Sequence, residues 1–212
     1  EQALATESET LEAFMAEPWI EDASLTVEQA LSQKIAVIGE KLSIRRFQKI
    51  VSTDGVVTTY IHGGGKIGVL VELTTDSADA AILECGKNVA MQTAALKPLY
   101  TSESEVDASY IEHEKEVLMA QAKNEKPDAN EKILTGMVMG RIKKEMKEVC
   151  LLDQVYVKAE DGKQSVAQYV AQVAKANNAT VAVKGLVRFE TGEGIEKKEE
   201  NFAEEVAKQM NA

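Results

Sequence analysis

Apolar residues recur along the chain with two different periods, and each change of period marks a predicted element. A period of three to four residues predicts a helix over residues 11–15 and another after Thr26. Gln29 lies three positions beyond Thr26, which is the spacing of a capping box at a helix N-terminus. We expect this second helix to end at Gly39, because glycine readily adopts the left-handed conformation that closes a helix.

Three runs rich in β-branched residues predict strands over residues 44–51, 56–62 and 67–73. The first two runs are joined by Thr53-Asp54-Gly55, and the second and third are joined by consecutive glycines. Turns this short connect antiparallel neighbours. The sequence therefore predicts an antiparallel sheet with one face covered by helices.

A long amphipathic pair of helices is predicted in the second half of the chain, after a helix over residues 77–96 that Pro98 ends. The pair is interrupted at residues 124–130, where Pro127 and its neighbours are typical of a turn. Mixed charges beside a narrow apolar stripe predict a projecting coiled-coil hairpin over residues 108–147. The predicted stripe comprises Ile111, Leu118, Ala122, Leu134, Val138, Ile142, Met146 and Val149.

The first capping box has a second copy at Ser165 and Gln168, and in both places a helix and then a β-branched run follow. The second of these runs predicts a strand over residues 180–189. We interpret the repeat as two related subdomains, and chance similarity of two short helix–strand units is the alternative. The predicted fold class is α+β, with two related subdomains, each a small antiparallel sheet covered by helices, and an inserted helical (coiled-coil) hairpin.

This interpretation divides the chain into four segments. They are an N-terminal core subdomain (1–76), a C-terminal core subdomain (77–107 and 148–193), the hairpin arm (108–147) and a C-terminal helical module (194–212). In the last segment, Phe202 and Val206 fall on the apolar side of a Lys- and Glu-rich helix predicted over residues 195–210.

Composition and charge argue against several classes of protein. The 212 residues carry a formal net charge of −11 and a pI near 4.8, so direct binding to nucleic acid is not expected. No apolar run approaches the ~20 residues of a membrane-spanning helix, so no membrane association is expected either. Two cysteines, Cys85 and Cys150, are too few for a disulfide scaffold, and a reducing, cytoplasmic location is expected.

The glycine turn is the strongest candidate for chemistry, because Gly63-Gly64-Gly65-Lys66-Ile67-Gly68 matches G-x-G-x-x-G. A dinucleotide site needs a helix after this motif, whereas a predicted strand follows here. The histidines His62 and His113 lie far apart and neither cysteine has a C-x-x-C partner, which argues against a metal centre. His62 is open to two interpretations, a catalytic base or a turn and partner contact. With no catalytic residue, cofactor or metal predicted, a binding protein is expected and not an enzyme.

Three strings of residues resemble the elongation factor Ts family. They are Tyr60-Ile61-His62-Gly63-Gly64-Gly65-Lys66-Ile67-Gly68-Val69-Leu70-Val71, Asn88-Val89-Ala90-Met91 and Arg188-Phe189-Glu190-Thr191-Gly192-Glu193-Gly194-Ile195-Glu196-Lys197. Ile44-Arg45-Arg46-Phe47 and Gly140-Arg141 are also similar to that family. The likeness runs in the family's order from residue 11 to the C-terminus, so it covers nearly the whole chain.

The resemblance implies a guanine-nucleotide exchange factor that binds elongation factor Tu, promotes exchange of GDP for GTP during protein synthesis and needs no cofactor of its own. It also implies which residues contact this partner. Ile67 and Gly68 match the family's contact with the partner's G domain, and Gln92 stands where the family often has His. The expected partner-binding set is His62, Gly63, Gly64, Gly65, Ile67, Gly68, Met91 and Gln92.

One family motif is not found among these residues. The family carries Thr-Asp-Phe-Val, whose Phe wedges beside the partner's nucleotide and magnesium site, but Thr53-Asp54-Gly55 and Thr75-Asp76-Ser77 do not continue with Phe-Val. A truncated form with reduced exchange activity is therefore expected. The alternative, from another class, is a dimerisation or scaffolding module without exchange activity, in which the helical hairpin joins two copies.

Overall fold

Short helices and a two-stranded hairpin form the first part of the structure. The computed structural model describes residues 1–195, and its contacts divide the chain into a unit of Glu1–Thr53 and a unit that begins at Asp54. The strands of the first unit pair antiparallel, and its predicted helices are confirmed. In chain order its elements are α1 (Gln2–Ala5), α2 (Leu11–Ala16), β1 (Pro18–Trp19), β2 (Asp22–Thr26) and α3 (Val27–Ile38).

Helix α3 begins and ends where the sequence predicts. The Thr26 hydroxyl oxygen accepts a hydrogen bond from the backbone N–H of Gln29 at 3.2 Å, and the Gln29 side-chain oxygen accepts one from the Thr26 N–H at 2.9 Å. These two bonds satisfy donors that a helix N-terminus otherwise leaves unpaired. At the other end Gly39 adopts a φ of +78°, the left-handed conformation expected of a helix cap.

The prediction of a strand over residues 44–51 is wrong, because this segment contains no strand in the structure. Its aromatic residue packs on a helix instead: the Phe47 ring stacks on the Phe14 ring of α2, with 4.5 Å between centroids. The Lys49 ammonium also donates a hydrogen bond to the backbone oxygen of Thr6 at 3.0 Å. β-branched residues favour an extended backbone, but strand formation depends on the neighbours against which they pack.

The second unit contains a three-stranded antiparallel sheet in the order β3-β4-β5. Strands β3 (Gly55–His62) and β4 (Ile67–Thr75) form a hairpin, and β5 (Val181–Glu190) pairs with the other side of β4. The third strand of this sheet therefore comes from far along the chain, and not from residues 44–51.

The α+β fold class with small antiparallel sheets is confirmed. The strands predicted over residues 56–62, 67–73 and 180–189 are all present. The three-stranded sheet takes strands from both sides of the boundary predicted at residue 76. The four predicted segments stay predictions.

Helices α4 (Ala80–Leu96) and α7 (Val166–Ala176) pack together on one side of this sheet. The side chains of β4 that face them are buried and share one apolar cluster with both helices. Helix α7 begins at the second predicted capping box. The Ser165 hydroxyl oxygen accepts a bond from the Gln168 N–H at 3.2 Å, and the Gln168 side-chain oxygen accepts one from the Ser165 N–H at 2.8 Å.

Helices α5 (Ala108–Glu125) and α6 (Glu131–Val149) form the predicted helical hairpin, with an apolar cluster of its own. Tyr110 of α5 donates a hydrogen bond to the Glu145 carboxylate of α6 at 2.5 Å. Coiled-coil geometry in this hairpin stays a prediction. The helix predicted over residues 195–210 lies, beyond its first residue, outside the described residues. The buried members of the predicted stripe are Ala122, Leu134, Val138, Ile142 and Met146.

Gly86 brings α4 close to the sheet, and a side chain at this position is expected to destabilise the protein. A Cβ built at Gly86 would lie 2.6 Å from two side-chain atoms of Thr58 and 3.0 Å from Leu73 Cδ1. We expect Gly86→Ala to lower the free energy of unfolding by about 2 kcal/mol, because a packed core accommodates an added methyl group only by shifting its neighbours.

Gly136 in α6 provides the matched control, since a Cβ built there meets no atom of the described part of the chain within 4 Å. Gly136→Ala is expected to raise the free energy of unfolding by about 0.5–1 kcal/mol, because alanine is the better helix former. Urea denaturation of the two variants measures both effects. Stabilisation by Gly86→Ala would contradict the close approach of α4 to the sheet.

Candidate partner-binding site

The turn between β3 and β4 has a backbone conformation that favours glycine. Gly63, Gly64 and Gly65 have φ values of +61°, +67° and +95°, a region in which a Cβ causes strain. All three are exposed, and the element that follows, β4, is a strand. The match to G-x-G-x-x-G therefore has no helix N-terminus that could hold a pyrophosphate. What the turn offers is exposed backbone.

The two residues at the start of β4 lie on opposite faces of the sheet, since side chains alternate along a strand. Ile67 packs against the core cluster. Gly68 lies on the outer face, where its register partners are Ile61 of β3 and Phe189 of β5. A Cβ built at Gly68 would lie 3.7 Å from Ile61 Cδ1, an ordinary contact distance. The fold thus has room for a side chain here, and glycine leaves the backbone open to close approach by a partner.

His62 ends β3 with its side chain exposed beside the glycine turn. Its Nδ1 atom is hydrogen-bonded to the Tyr60 hydroxyl at 3.0 Å. Within residues 1–195 no carboxylate pairs with the ring, whereas a general base is ordinarily oriented by a third group. The arrangement suits a hydrogen-bonding contact better than a catalytic base.

The C-terminal end of α4 lies at the same end of the sheet as the glycine turn. The Lys97 ammonium, one residue beyond α4, is 3.1 Å from a carboxylate oxygen of Glu190, and Glu190 is the register partner of Ile67. Hydrogen bonds from Arg188 and Lys97 lower the pKa of Glu190, so its carboxylate is charged at neutral pH. Met91 is half-buried in the C-terminal half of α4, and it therefore lies toward this end of the sheet.

Gln92 is placed differently from the other predicted contact residues, because its side chain is fully buried. Its amide nitrogen donates to the side-chain oxygen of Gln154 at 3.1 Å and to the backbone oxygen of Val155 at 3.0 Å. Its amide oxygen accepts a bond from the Val157 N–H at 2.8 Å. The side chain belongs to the interior and presents no surface to a partner, so we leave it out of the proposed contact surface.

A second buried amide, Gln154, is a residue that the sequence analysis missed. It is 3% exposed, and its amide nitrogen donates to the backbone oxygens of Glu148 at 2.7 Å and Leu96 at 3.4 Å. These bonds join the end of α4 to the last turn of α6. No local pattern marks the residue, because glutamine is mostly a surface residue.

The two cysteine thiols are unsuited to nucleophilic attack. Burial raises the pKa of both Cys85 and Cys150 to about 11, so both are protonated at neutral pH. In the part of the chain that the structure describes, no three His, Cys, Asp or Glu residues are grouped so that they could hold a metal ion. None of the helices over that range is long and apolar enough to cross a membrane.

The strings that carry the family resemblance meet in one part of the second unit. Residues 60–71 form most of the β3–β4 hairpin, residues 88–91 lie in α4, and residues 188–190 end β5. The hairpin pairs with β5, and α4 packs against all three strands. The resemblance is therefore concentrated around one end of the sheet and the helix above it.

Comparison with known proteins decides the family. The sequence model of the family described as Elongation factor TS matches residues 1–193. The chain belongs to the elongation factor Ts family. Membership confirms the resemblance expected from the glycine turn, the α4 string and the β5 string.

Similar curated proteins bear the same family name. Elongation factor Ts of Clostridioides difficile (strain 630) is 55% identical over 98% of this chain and 66% of its own length. Elongation factor Ts of Clostridium botulinum (strain Eklund 17B) is 49% identical over 98% of this chain and 67% of its own length. Elongation factor Ts of Clostridium perfringens (strain 13) is 50% identical over 94% of this chain and 64% of its own length. The chain spans about two thirds of the length of these relatives.

Proposed function

We propose that this chain binds elongation factor Tu in the cytoplasm and promotes exchange of its GDP for GTP during protein synthesis. The observation that carries the proposal is membership of the elongation factor Ts family over residues 1–193. The proposed contact surface comprises His62, the turn glycines Gly63, Gly64 and Gly65, the start of β4 at Ile67 and Gly68, and Met91 of α4.

Exchange of this kind follows from differential binding and needs no catalytic group on the chain. If the chain binds nucleotide-free partner more tightly than GDP-bound partner, it must weaken GDP binding by the same coupling free energy. A surface of exposed backbone and neighbouring side chains can supply that preference by fitting only one conformation of the partner. The chain is a binding protein in this account and not an enzyme.

Release of a fluorescent GDP analogue from elongation factor Tu tests the proposal. The analogue is preloaded on the partner, an excess of unlabelled GDP is added, and the fluorescence decay is followed with and without a saturating amount of this chain. We expect the chain to increase the release rate above the intrinsic rate. A release rate that stays at the intrinsic value at saturation would contradict the proposed function.

Gly68→Val is expected to weaken binding to elongation factor Tu by about 1–3 kcal/mol, because a side chain at a closely packed interface holds the two backbones apart. The fold should persist, since among the described residues a Cβ at Gly68 meets only Ile61 Cδ1, at 3.7 Å. Titration by isothermal calorimetry measures the affinity, and circular dichroism checks the fold.

Gly185→Val is the matched control for this substitution. Gly185 of β5 is the register partner of Glu72 of β4, which lies four residues beyond Gly68 on the same face of the sheet. A Cβ at Gly185 meets no atom of residues 1–195 within 4 Å, and the residue lies outside the proposed contact surface. If both variants bind like the unchanged chain while remaining folded, Gly68 has no contact role.

The second candidate function is self-association through the helical hairpin without exchange. Three apolar side chains of the hairpin are exposed, Val117, Ile133 and Met139, and they could pack against a second copy. Sedimentation equilibrium separates the two functions. A dimer that dissociates in Met139→Ser, together with no effect on GDP release, would favour the scaffolding role.

A further inference from the structure

A cleft of about 560 Å³ opens where the base of the hairpin meets the end of α4 and the start of α7. Two apolar side chains line it, Leu96 at 46% exposure and Val155 at 49% exposure. Ligand clefts of proteins ordinarily measure about 300–1,000 Å³ and combine apolar side chains with a few polar groups. The cleft therefore has the size and the apolar floor of a site for a small organic molecule.

Contacts between distant segments hold the walls of this cleft in place. The Gln154 amide nitrogen donates to the backbone oxygens of Glu148 at 2.7 Å and Leu96 at 3.4 Å. Val155 pairs with Ser165 in an antiparallel β-bridge, and both residues line the cleft. Because these walls are already ordered, a ligand does not bear the cost of ordering them.

Three lysines give the cleft a basic rim, although the chain as a whole is acidic. Lys144, Lys147 and Lys163 line it together with two carboxylates, those of Glu148 and Asp153, which leaves one net positive charge. Lys144 forms an exposed ion pair with Glu148 at 3.8 Å. Within residues 1–195 neither Lys147 nor Lys163 forms an ion pair, so their ammonium groups are available to an anionic ligand.

We propose that this cleft binds a small carboxylate with an apolar body, such as an ionised medium-chain fatty acid. The apolar body lies against Leu96 and Val155, and the carboxylate faces the ammonium groups of Lys147 and Lys163. A single negative charge balances the net charge of the lining. Exposed ion pairs contribute little by themselves, so the apolar contact supplies most of the affinity and the charge selects the head group.

Titration of the full 212-residue chain with sodium octanoate, followed by two-dimensional proton–nitrogen NMR, tests this proposal. We expect saturable shifts of the Val155 backbone N–H and the Gln154 side-chain amide. The expected dissociation constant is about 1–10 mM, which is the affinity that a ligand of this size reaches at ordinary efficiency. The absence of saturable shifts at these two residues would overturn the proposal.

Two further probes separate the carboxylate head from the apolar body. Acetate carries the head without the body, and octylammonium carries the body with the opposite charge. Both are expected to bind at least about tenfold more weakly than octanoate, because each lacks one of the two contacts. Equal affinity for acetate would show a simple anion site, and equal affinity for octylammonium would show unselective apolar contact; either result overturns the proposal.

Val155→Glu is expected to weaken octanoate binding about tenfold, because it replaces part of the apolar floor by a charge of the same sign as the ligand. Val157→Glu is the matched control. Val157 is 48% exposed and lies two residues along the same segment, but it does not line the cleft. Its substitution is expected to change the dissociation constant less than about twofold. Equal dissociation constants for the two variants would contradict the proposed site.

Lys147→Glu tests the basic rim and is expected to weaken octanoate binding about fivefold, the upper range for an exposed charge pair. Lys132→Glu is its control, since Lys132 is exposed on the same helix but does not line the cleft. Circular dichroism verifies that each variant is folded. If Lys147→Glu binds octanoate as tightly as Lys132→Glu does, the carboxylate does not face the rim and the proposal is overturned.

Discussion

Gln92→Leu is expected to lower the free energy of unfolding by about 2–3 kcal/mol, because it leaves one buried and two partly buried polar groups without partners. Leucine has a similar volume but offers no hydrogen bonds, so packing is largely preserved. The groups left unpaired are the side-chain oxygen of Gln154, the backbone oxygen of Val155 and the N–H of Val157. The loss of stability therefore reports on the missing hydrogen bonds and not on a cavity.

Gln172→Leu is the matched control for this prediction. Gln172 is an exposed residue of α7 whose side chain accepts one exposed hydrogen bond, from the Gln164 amide, so the same substitution is expected to change the free energy of unfolding by less than about 0.5 kcal/mol. Urea denaturation followed by circular dichroism measures both values. If Gln92→Leu lowered the free energy of unfolding by less than about 1 kcal/mol, the result would contradict the buried hydrogen bonds that the structure gives Gln92.

The 212-residue chain is expected to accelerate GDP release about 30- to 1000-fold less than a full-length family member. An anchor aromatic at an interface contributes about 2–4 kcal/mol, which corresponds to this range of coupling. The 212 residues contain no Thr-Asp-Phe-Val, the motif whose Phe wedges into the partner in this family. The prediction rests on the absence of that one side chain from these residues.

The comparison uses the Clostridioides difficile relative, of which the chain covers 66%, and one preparation of elongation factor Tu. Both factors are added at saturating concentrations, so that differences in affinity do not enter the rates. The control is a full-length family member in which the Phe of the family's Thr-Asp-Phe-Val motif is replaced by Ala, and its rate should fall to that of this chain. Equal acceleration by the relative and by this chain would show that the wedge is dispensable.

Local features of the fold could be predicted from the sequence because they depend on neighbouring residues. Both capping boxes, the left-handed Gly39 and the break at Pro127 involve groups a few positions apart, and the structure shows each of them. Strand pairing depends on distant residues. Residues 44–51 have the composition of a strand, yet Phe47 packs on Phe14 and the third strand of the sheet is β5.

In the candidate site, too, features that depend on neighbouring residues could be predicted and those that depend on distant residues could not. The glycine turn could be located from the sequence, because three consecutive glycines between two β-branched runs are typical of a turn. The burial of Gln92 could not, since the polar residue lies on a helix and its partners are more than sixty positions away in sequence. Alternation along β4 places Ile67 and Gly68 on opposite faces, and only the packing of α4 decides which face is covered.

Affinity for two states of elongation factor Tu tests the proposed exchange function most directly. Dissociation constants of this chain are measured by calorimetry with nucleotide-free partner and with GDP-bound partner under the same salt conditions. The account predicts at least about tenfold tighter binding to the nucleotide-free partner, since a coupling of 1.4 kcal/mol corresponds to that factor. Equal dissociation constants for the two states would contradict it, because a chain without this preference cannot weaken GDP binding.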